Sequence, residues 1–271
     1  MWRTTEERTD SARRRLALAK AWWKWEPHPR QREFFCATAQ VRIAACGRRW
    51  GKTACLGVDA ATLALDELAH GRACRQLIVA PSEGQARLLG EEIRQRIQSA
   101  LDAQTEATDG VKMTVRRKSG LTLTLTRPSG GAAPFEAWAM CRTAGIDGAG
   151  LRGLWAHRII VDEAARVPDA VLSDVLLPML ADVGGEYVLA SSPFGRRNGF
   201  YRLWTRGMFR DPSPDVVAVT YESFQCPTRD NPNLDGSFLD AQREEMGEAA
   251  FAEEFEAEFS EDGGSVFPGD D

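Results

Sequence analysis

The chain has 271 residues, enough for one large domain or two small ones, and its composition excludes several classes of protein. Hydrophobic residues make up 43% and charged residues 27%, which is ordinary for a globular protein and excludes a fibrous or wholly disordered chain. No stretch approaches the roughly 18 apolar residues of a membrane span, so no membrane partner is expected. The 6 cysteines form no C-x-x-C pair and are expected to be reduced thiols in a cytosol.

The net charge of −5 is distributed unevenly. Residues 1–209 carry 31 Lys and Arg against 22 Asp and Glu, whereas residues 210–271 carry 3 against 17. A mildly basic body is suited to contact phosphates, whereas the acidic end would repel them. A solvated acidic helix is the simpler explanation of the acidic end taken alone.

The first half of the chain alternates between helices and strands. Hydrophobic spacing predicts helices over residues 12–25 and 30–40, separated by two prolines. A short buried strand follows at 41–45, and a glycine-containing turn leads from it into a helix over 52–68. A second strand at 76–80 precedes a long amphipathic helix over 83–101, which completes a βαβ unit typical of a parallel sheet.

The second half adds a hairpin and further strands. Residues 111–126 alternate apolar and polar positions around a Lys-Ser-Gly turn, which predicts a β-hairpin extension. Short apolar runs predict strands at 159–161, 187–190 and 216–221. An acidic helix is predicted over 238–259. Together these elements predict an α/β fold with a doubly wound, mostly parallel central sheet flanked by helices.

The strongest chemical signal is the segment CGRRWGKT at residues 46–53, between a predicted strand and a predicted helix. Backbone N–H groups at such a helix start converge on phosphate oxygens. Lys52 would reach the β- and γ-phosphates, and the Thr53 hydroxyl would bind Mg²⁺. The strict pattern G-x-x-x-x-G-K-[ST] is not met, because Cys46 occupies its first position, and a chance G-K-T at a helix start is the alternative.

A second signal is the pair Asp162-Glu163, which ends the apolar run at 159–161. In the Walker B arrangement the first acid holds Mg²⁺ through water and the second polarises the attacking water. Acids at the end of a strand also cap helices, which is the alternative interpretation. The two motifs together favour nucleotide hydrolysis with ATP and Mg²⁺.

The chain resembles a known family, the large subunit of the DNA-packaging terminases of tailed bacteriophages. The resemblance covers nearly the whole chain, with the family's motifs in the family's order. The similar segments are residues 27–31, 47–53, 150–153, 162–163, 190–195, 198–201, 231–234 and 254–259. The resemblance implies a P-loop NTPase fold of the RecA/ASCE type and a Mg-dependent ATPase that moves double-stranded DNA into a procapsid.

The resemblance also implies roles for single residues. Gln31 would read adenine, and Arg48 would touch the γ-phosphate within its own subunit. Gly47, Arg49, Trp50 and Gly51 would complete the nucleotide-binding loop with Arg48, Lys52 and Thr53. A helix cap for Gln31 and a solvated charge for Arg48 are the alternatives.

Two more segments carry implied roles. Arg152 would be an arginine finger inserted into a neighbouring subunit's site, so that the catalytic set is Lys52, Arg48, Arg152 and Glu163. Ser191 and Ser192 would couple the state of the phosphate to movement. An intramolecular salt bridge and an ordinary Ser-Pro turn are the respective alternatives.

The family implies an organisation and partners. Residues 1–260 would form the motor domain, with 1–40 as an N-terminal helical segment, and residues 261–271 would lead toward a nuclease domain that lies outside this sequence, so nuclease activity is not expected here. A homo-oligomeric ring, a small terminase subunit and a portal would be partners, in the cytoplasm of an infected bacterial host. Residues 116–118 and 196–197 are candidate DNA contacts.

Two other functions fit part of the sequence. A helicase-like ATPase has similar Asp-Glu acids, but residues 210–271 are too few for the second RecA-like domain that it needs. A nucleotide-gated assembly module would bind ATP without turnover. The intact set of Lys52, Thr53, Asp162 and Glu163 argues against an inactive site.

Overall fold

The computed structural model describes residues 3–130, 132–181, 183–208 and 219–261. Its α-helices are α1 (Thr5–Trp23), α2 (Pro29–Cys36), α3 (Lys52–Ala69), α4 (Glu83–Asp102), α5 (Gly199–Met208), α6 (Gly236–Met246) and α7 (Glu248–Glu254). Its strands are β1 (Val41–Cys46), β2 (Cys74–Ala80), β3 (Lys112–Arg116), β4 (Thr122–Ser129), β5 (Ala132–Thr143), β6 (Arg158–Asp162), β7 (Glu186–Ser191) and β8 (Tyr221–Cys226).

The strands form one 8-stranded sheet in the order β3-β4-β5-β2-β6-β7-β1-β8. All neighbouring pairs from β5 to β8 are parallel, and β3 and β4 add an antiparallel hairpin at one edge. Parallel strands place their carboxyl ends at one edge of a sheet, so the loops after β1, β6 and β7 meet there. The prediction of a doubly wound, mostly parallel sheet with a hairpin extension is confirmed.

Each face of the sheet carries its own hydrophobic core. Helices α3 and α4 pack on one face, with Leu63 and Ile93 among the buried contacts. Helix α5 and the segment 171–180 cover the other face, where Leu172 and Phe200 are buried. Alternate residues of β1 point to opposite cores, because side chains along a strand alternate between faces. The edge formed by the carboxyl ends of the parallel strands is therefore supported by helices on both faces.

Strand β5 was not predicted. Its sequence contains Pro134 and several alanines, which lower β-propensity, and its pairing with β2 joins residues that lie far apart in the chain. The hairpin at 111–126 is confirmed as β3 and β4, but it continues through β5 into the parallel sheet.

Other predicted boundaries shift. Helix α1 begins at Thr5, where Thr4 and Glu7 form a reciprocal capping box, and α2 ends at Cys36.

The strand predicted at 216–221 is wrong in place: β8 spans Tyr221–Cys226, and residues 216–218 lie outside the described part. The single helix predicted over 238–259 is two helices, because Gly247 adopts a φ of 78° between α6 and α7. Residues 262–271 lie outside the described part.

A buried cluster of charged side chains, which the sequence did not predict, lies at the amino ends of β1, β6 and β7. We call this the ion cluster; its members are Arg3, Arg15, Arg42, Asp59, Glu67, Arg158 and Glu186, all under 5% exposed. Arg158 donates to Asp59 at 2.9 Å and to Glu186 at 3.0 Å. Arg42 donates to Asp59 at 3.3 Å, and Arg15 also binds that carboxylate. The cluster therefore joins α1 and α3 to three adjacent strands.

The cluster keeps its acids ionised. Burial opposes the charged form of Glu186, but four guanidinium groups outweigh it and lower its pKa to about 2. The same balance holds the pKa of Asp59 well below its usual range.

No helix in the described ranges is long and apolar enough to cross a membrane. All 6 cysteines are free thiols. Burial raises the pKa of Cys74 and Cys141 to about 12.

Removing one charge from the ion cluster should destabilise the fold strongly. We expect Asp59→Asn to lower the free energy of unfolding by about 3–5 kcal/mol, because three arginines lose a buried partner. Urea unfolding at pH 7 measures this. Asp10→Asn, at an exposed ion pair with Arg13, is the matched control and should change the stability little.

The same cluster predicts a pH dependence. Because the pKa values of Asp59 and Glu186 are lower in the folded state, their contribution is complete at neutral pH and is lost as the pH falls from about 4.5 toward 2. Urea unfolding between pH 7 and pH 3 should show this decline. A decline equally steep in Asp59→Asn would contradict the assignment to this cluster.

Candidate functional site

The loop between β1 and α3 has the shape of a phosphate cradle. Its backbone reverses through two left-handed residues, Arg49 at φ 63° and Gly51 at φ 98°. Gly51 caps α3 without a side-chain hydrogen bond, so the first N–H groups of the helix are left for a ligand. Lys52 and Thr53 are the first two residues of that helix.

Three strands bring their last residues to this loop. The Lys52 ammonium lies 3.0 Å from Asp162 Oδ1 and also contacts Glu163 Oε1. Ser191 Oγ, at the end of β7, donates to Glu163 Oε2 at 3.4 Å. Glu163 itself has a φ of 52°, and its N–H donates to Asp162 Oδ1 at 3.0 Å. The two motifs predicted from the sequence therefore form one cluster.

The charges of this cluster influence one another. Burial alone would lower the pKa of Lys52, but Asp162 and Glu163 outweigh it and raise that pKa well above its usual value. Burial is also the largest effect on Asp162, where together with Glu163 it raises the carboxyl pKa despite the nearby ammonium. Two carboxylates around one ammonium leave a net negative charge where a cation could bind.

A cleft of about 550 Å³ opens over the loop. The predicted nucleotide-binding residues 47–53 line it together with Glu163 and Ser192. Asp162 lies beside it, in an adjoining groove that shares Thr53 and Glu163. This volume suits a small ligand. The arrangement can bind phosphate oxygens, hold an oxygen-liganded cation and position a water molecule beside a carboxylate.

Gln31 lies behind the loop rather than in the cleft. Its Nε2 donates to the carbonyls of Trp50 and Gly51, both at 3.4 Å, and its Oε1 accepts from His28 N at 3.3 Å. The His28 and Trp50 rings lie 5.1 Å apart in a T-shaped arrangement, and Trp50 is 1% exposed. A Cβ on Gly51 would lie 2.5 Å from Gln31 Nε2, so the contact requires glycine there. The carboxamide is engaged with the loop, and adenine reading stays a prediction.

Arg48 is held by a residue that the sequence did not reveal. Its guanidinium makes a bidentate ion pair with Glu254, at 2.6 and 3.2 Å, and its backbone N donates to Glu254 O at 2.7 Å. The preceding residue, Glu253, accepts from Gly195 N at 2.7 Å. Successive acids at the end of α7 thus contact the phosphate loop and the segment after β7. The acidic run 253–258 gave no signal for these long-range contacts.

The segment after β8 also holds the loop from outside. Thr228 Oγ1 donates to Arg48 O at 2.6 Å, and Asn231 Nδ2 donates to Arg49 O at 2.7 Å. A Cβ on Gly47 would lie 2.4 Å from Phe255 O. This close approach explains why a glycine follows Cys46.

Arg152 lines neither the cleft nor the adjoining groove. It follows a short 3₁₀ turn, Ala149–Leu151, on the loop between β5 and β6, and its side chain is exposed. Within the described ranges it forms no hydrogen bond or ion pair, so the alternative of an intramolecular salt bridge finds no support there.

The family model described as "Terminase large subunit, T4likevirus-type, N-terminal" matches residues 43–271. The chain belongs to this family. A curated relative, the terminase large subunit of Thermus phage G20c, is 27% identical over 254 residues, which cover 90% of this chain and 51% of the relative. The chain thus spans about half the length of that relative.

Solved structures show the same fold. The large terminase ATPase domain of Thermus phage P74-26 matches with a TM-score of 0.74 and 23% identity, covering 89% of this chain and 97% of that one. The large terminase of thermophilic bacteriophage D6E in complex with ADP matches with a TM-score of 0.58 and 12% identity, covering 91% and 52%. These likenesses show that the chain shares the α/β fold of these large terminases.

The contacts of Gln31 predict its mutant phenotype. We expect Gln31→Ala to weaken the binding of ATP and GTP equally, by about 3- to 10-fold. Gln31 supports the backbone of the phosphate loop, and that loop would contact the phosphates that both nucleotides share. Calorimetric titration with both nucleotides measures this. A loss confined to ATP would instead identify Gln31 as a contact of adenine.

Proposed function

We propose that the terminase chain is a Mg-dependent ATPase and the motor domain of a viral DNA-packaging enzyme. The observation that carries the proposal is the meeting of Lys52 with Asp162, Glu163 and Ser191 at one edge of the sheet. The names of its structural relatives support it, since they include an ATPase domain and a large terminase bound to ADP.

The residues define a hydrolytic step. Lys52 and the N–H groups of residues 51–53 at the start of α3 would hold the phosphates, and Lys52 would turn from the acids toward the β- and γ-oxygens. Glu163 would then orient a water molecule for in-line attack on the γ-phosphorus and accept its proton. The bond between the γ-phosphorus and the bridging oxygen breaks, giving ADP and phosphate.

The donor set fits Mg²⁺. Asp162 supplies a buried carboxylate, and Thr53 stands at the start of α3 beside the same groove. Mg²⁺ prefers one or two such oxygen ligands, with phosphate oxygens and water completing its shell. When bound with ATP it would neutralise charge developing on the phosphates. Asp162 would thus exchange its contact with Lys52 for one with the cation.

Two arginines would add positive charge in the transition state. Arg48 would leave Glu254 for the γ-phosphate of its own subunit, exchanging one bidentate anionic partner for another. Arg152 would enter the site of a neighbouring subunit. Its exposure and its lack of a partner in the described ranges leave it available for that role.

Movement would be coupled through β7. Ser191 contacts Glu163, and Ser192 lines the cleft, so both can respond to loss of the γ-phosphate. Gly195, four residues after Ser191, is bound by Glu253 next to the partner of Arg48. The segment 253–254 would therefore respond to both loops of the site.

The substrate of the movement would be double-stranded DNA. Residues 116–118 form an exposed basic turn, although Arg117 is paired with Glu91 at 3.0 Å. Arg196 donates to Phe259 O and pairs with Glu261. Of the two neighbouring arginines, Arg197 is therefore the better candidate for a contact with DNA. Contacts with phosphates would be independent of sequence.

The setting follows from the family. Residues 1–260 would form the motor domain and 261–271 a linker. The motor would assemble as a homo-oligomeric ring on a portal, with a small subunit that recognises DNA, in the cytoplasm of an infected bacterium.

The proposed Mg²⁺ ligand predicts a matched pair of variants. We expect Thr53→Ala to lower ATP turnover by about 10²-fold or more, because the cation loses its protein hydroxyl ligand. Thr53→Ser keeps that hydroxyl and should retain most of the activity. Steady-state phosphate release across a Mg²⁺ titration measures both, and equal losses in the two variants would contradict the assignment.

The trans role of Arg152 predicts recovery in mixtures. Arg152→Ala and Glu163→Gln should each be nearly inactive alone, because a finger contributes ~10³–10⁵ in rate and Glu163 orients the water. An equal mixture should recover activity, since one variant supplies the finger and the other the intact site. The rate per chain should also rise with concentration. Normal turnover by Arg152→Ala would overturn the assignment.

A further inference from the structure

Two apolar side chains are exposed beside functional features. Among the large hydrophobic side chains of the described ranges, Ile146 at 91% and Leu88 at 70% are the most exposed. Ile146 lies on the same loop as Arg152, and Leu88 lies on α4 beside the catalytic acids. Single exposed apolar residues are ordinary. Here each one lies where contact between subunits would have to form if Arg152 acts in trans.

We call residues 144–153 the finger loop. Its base is fixed, because Leu151 is 1% exposed and a Cβ on Gly148 would lie 3.1 Å from Val175. Asp147 Oδ1 accepts from Ala149 N at 3.0 Å and closes a turn beside Ile146. The loop therefore presents an exposed apolar residue and an exposed cation from an ordered base.

We call the depression between α4 and the end of β6 the α4 groove. It has a volume of about 550 Å³, and Leu88 and Gln95 line it on the α4 side. At its inner end it shares Thr53, Gln85 and Glu163 with the nucleotide cleft. A side chain that enters along the groove arrives where the γ-phosphate of bound ATP is expected.

The charge of the groove is concentrated at that inner end. Along α4, Glu91 is paired with Arg94 and Arg117, and Glu92 is paired with Arg96. At the inner end two carboxylates share the single ammonium of Lys52, which leaves an excess of negative charge. An arginine that enters is therefore attracted inward, whereas the outer rim offers Leu88 as an apolar contact.

The finger loop and the α4 groove belong to opposite faces of the sheet. Ala144 and Leu151 pack in the core that α5 covers, whereas Leu89 and Ile93 of α4 pack in the other core. Two different surfaces on opposite faces make a head-to-tail contact, and repetition of such a contact builds a ring when its rotation closes on itself and an open filament when it does not.

We propose that the α4 groove receives the finger loop of a second copy of this chain, with Ile146 packed on Leu88 and Arg152 directed toward Glu163. This assignment rests on the proposed trans role of Arg152 and names the surface that delivers it. Leu88 and Ile146 are thus positioning residues, which contact neither ATP nor its reacting atoms.

Cross-linking tests the contact directly. A chain with Leu88→Cys is mixed with a chain of different mass with Ile146→Cys, in Mg²⁺ and a non-hydrolysable ATP analogue, under mild oxidation. We expect a disulfide-linked heterodimer whose joined peptides contain positions 88 and 146. Gln98→Cys, exposed on α4 but about 15 Å along the helix axis from Leu88, replaces Leu88→Cys in the control and should give only the background of the parent chain.

Kinetics separate this proposal from the function on which it rests. Leu88→Asp and Ile146→Asp should each lower ATP turnover by at least about tenfold at a fixed concentration, because the finger is not delivered. Their equal mixture should recover activity, since each retains the surface that the other lacks. If the 88–146 cross-link and this recovery are absent while Arg152→Ala mixed with Glu163→Gln still recovers, the α4 groove is overturned and the trans finger stands. If neither mixture recovers, both are overturned.

Discussion

The register of β1, β7 and β6 is the constraint on which the rest of the structure depends. At their amino ends Arg42, Glu186 and Arg158 meet in the ion cluster. At their carboxyl ends the same strands deliver the phosphate loop, Ser191 and the acid pair. A shift of one strand by one residue would leave buried charges unpaired, which is far more costly than the loss of an exposed contact. Charge pairing at one end thus fixes the alignment that the chemistry needs at the other.

The cleft, in contrast, is bounded by parts that come from distant places in the chain. Gln31 supports the loop from before β1, whereas Thr228, Asn231 and Glu254 hold it from beyond β8. Most of these contacts reach backbone atoms, so they fix the course of the loop and leave its side chains to respond to a ligand. Among these contacts from outside the loop, the Arg48–Glu254 pair alone joins two charged side chains, so an arriving phosphate can replace the carboxylate.

The sequence predicted the features that lie within a few neighbouring residues, and it did not predict those that depend on contacts between distant parts of the chain. The G-K-T turn and the acid pair were found because each lies within a few residues and follows an apolar strand. The roles of Glu254 and Gln31 depend on contacts with residues far away in the chain, which no local pattern encodes. Strand β5 was missed for a related reason: its alanines and Pro134 are poor strand formers, and pairing with β2 and β4 on both sides stabilises it instead.

The left-handed backbone of Glu163 ties it to its neighbour. Such a conformation in a non-glycine residue costs about 1–2 kcal/mol, and the hydrogen bond from its N–H to Asp162 helps to maintain it. A substitution at Asp162 would therefore remove more than the proposed metal ligand, because it would also release the peptide that orients the Glu163 carboxylate. In a double-mutant cycle the two acids should behave as one energetic unit whose individual losses do not add. A change of residue at either position is accordingly restricted by the other through this backbone hydrogen bond, in addition to any effect of charge.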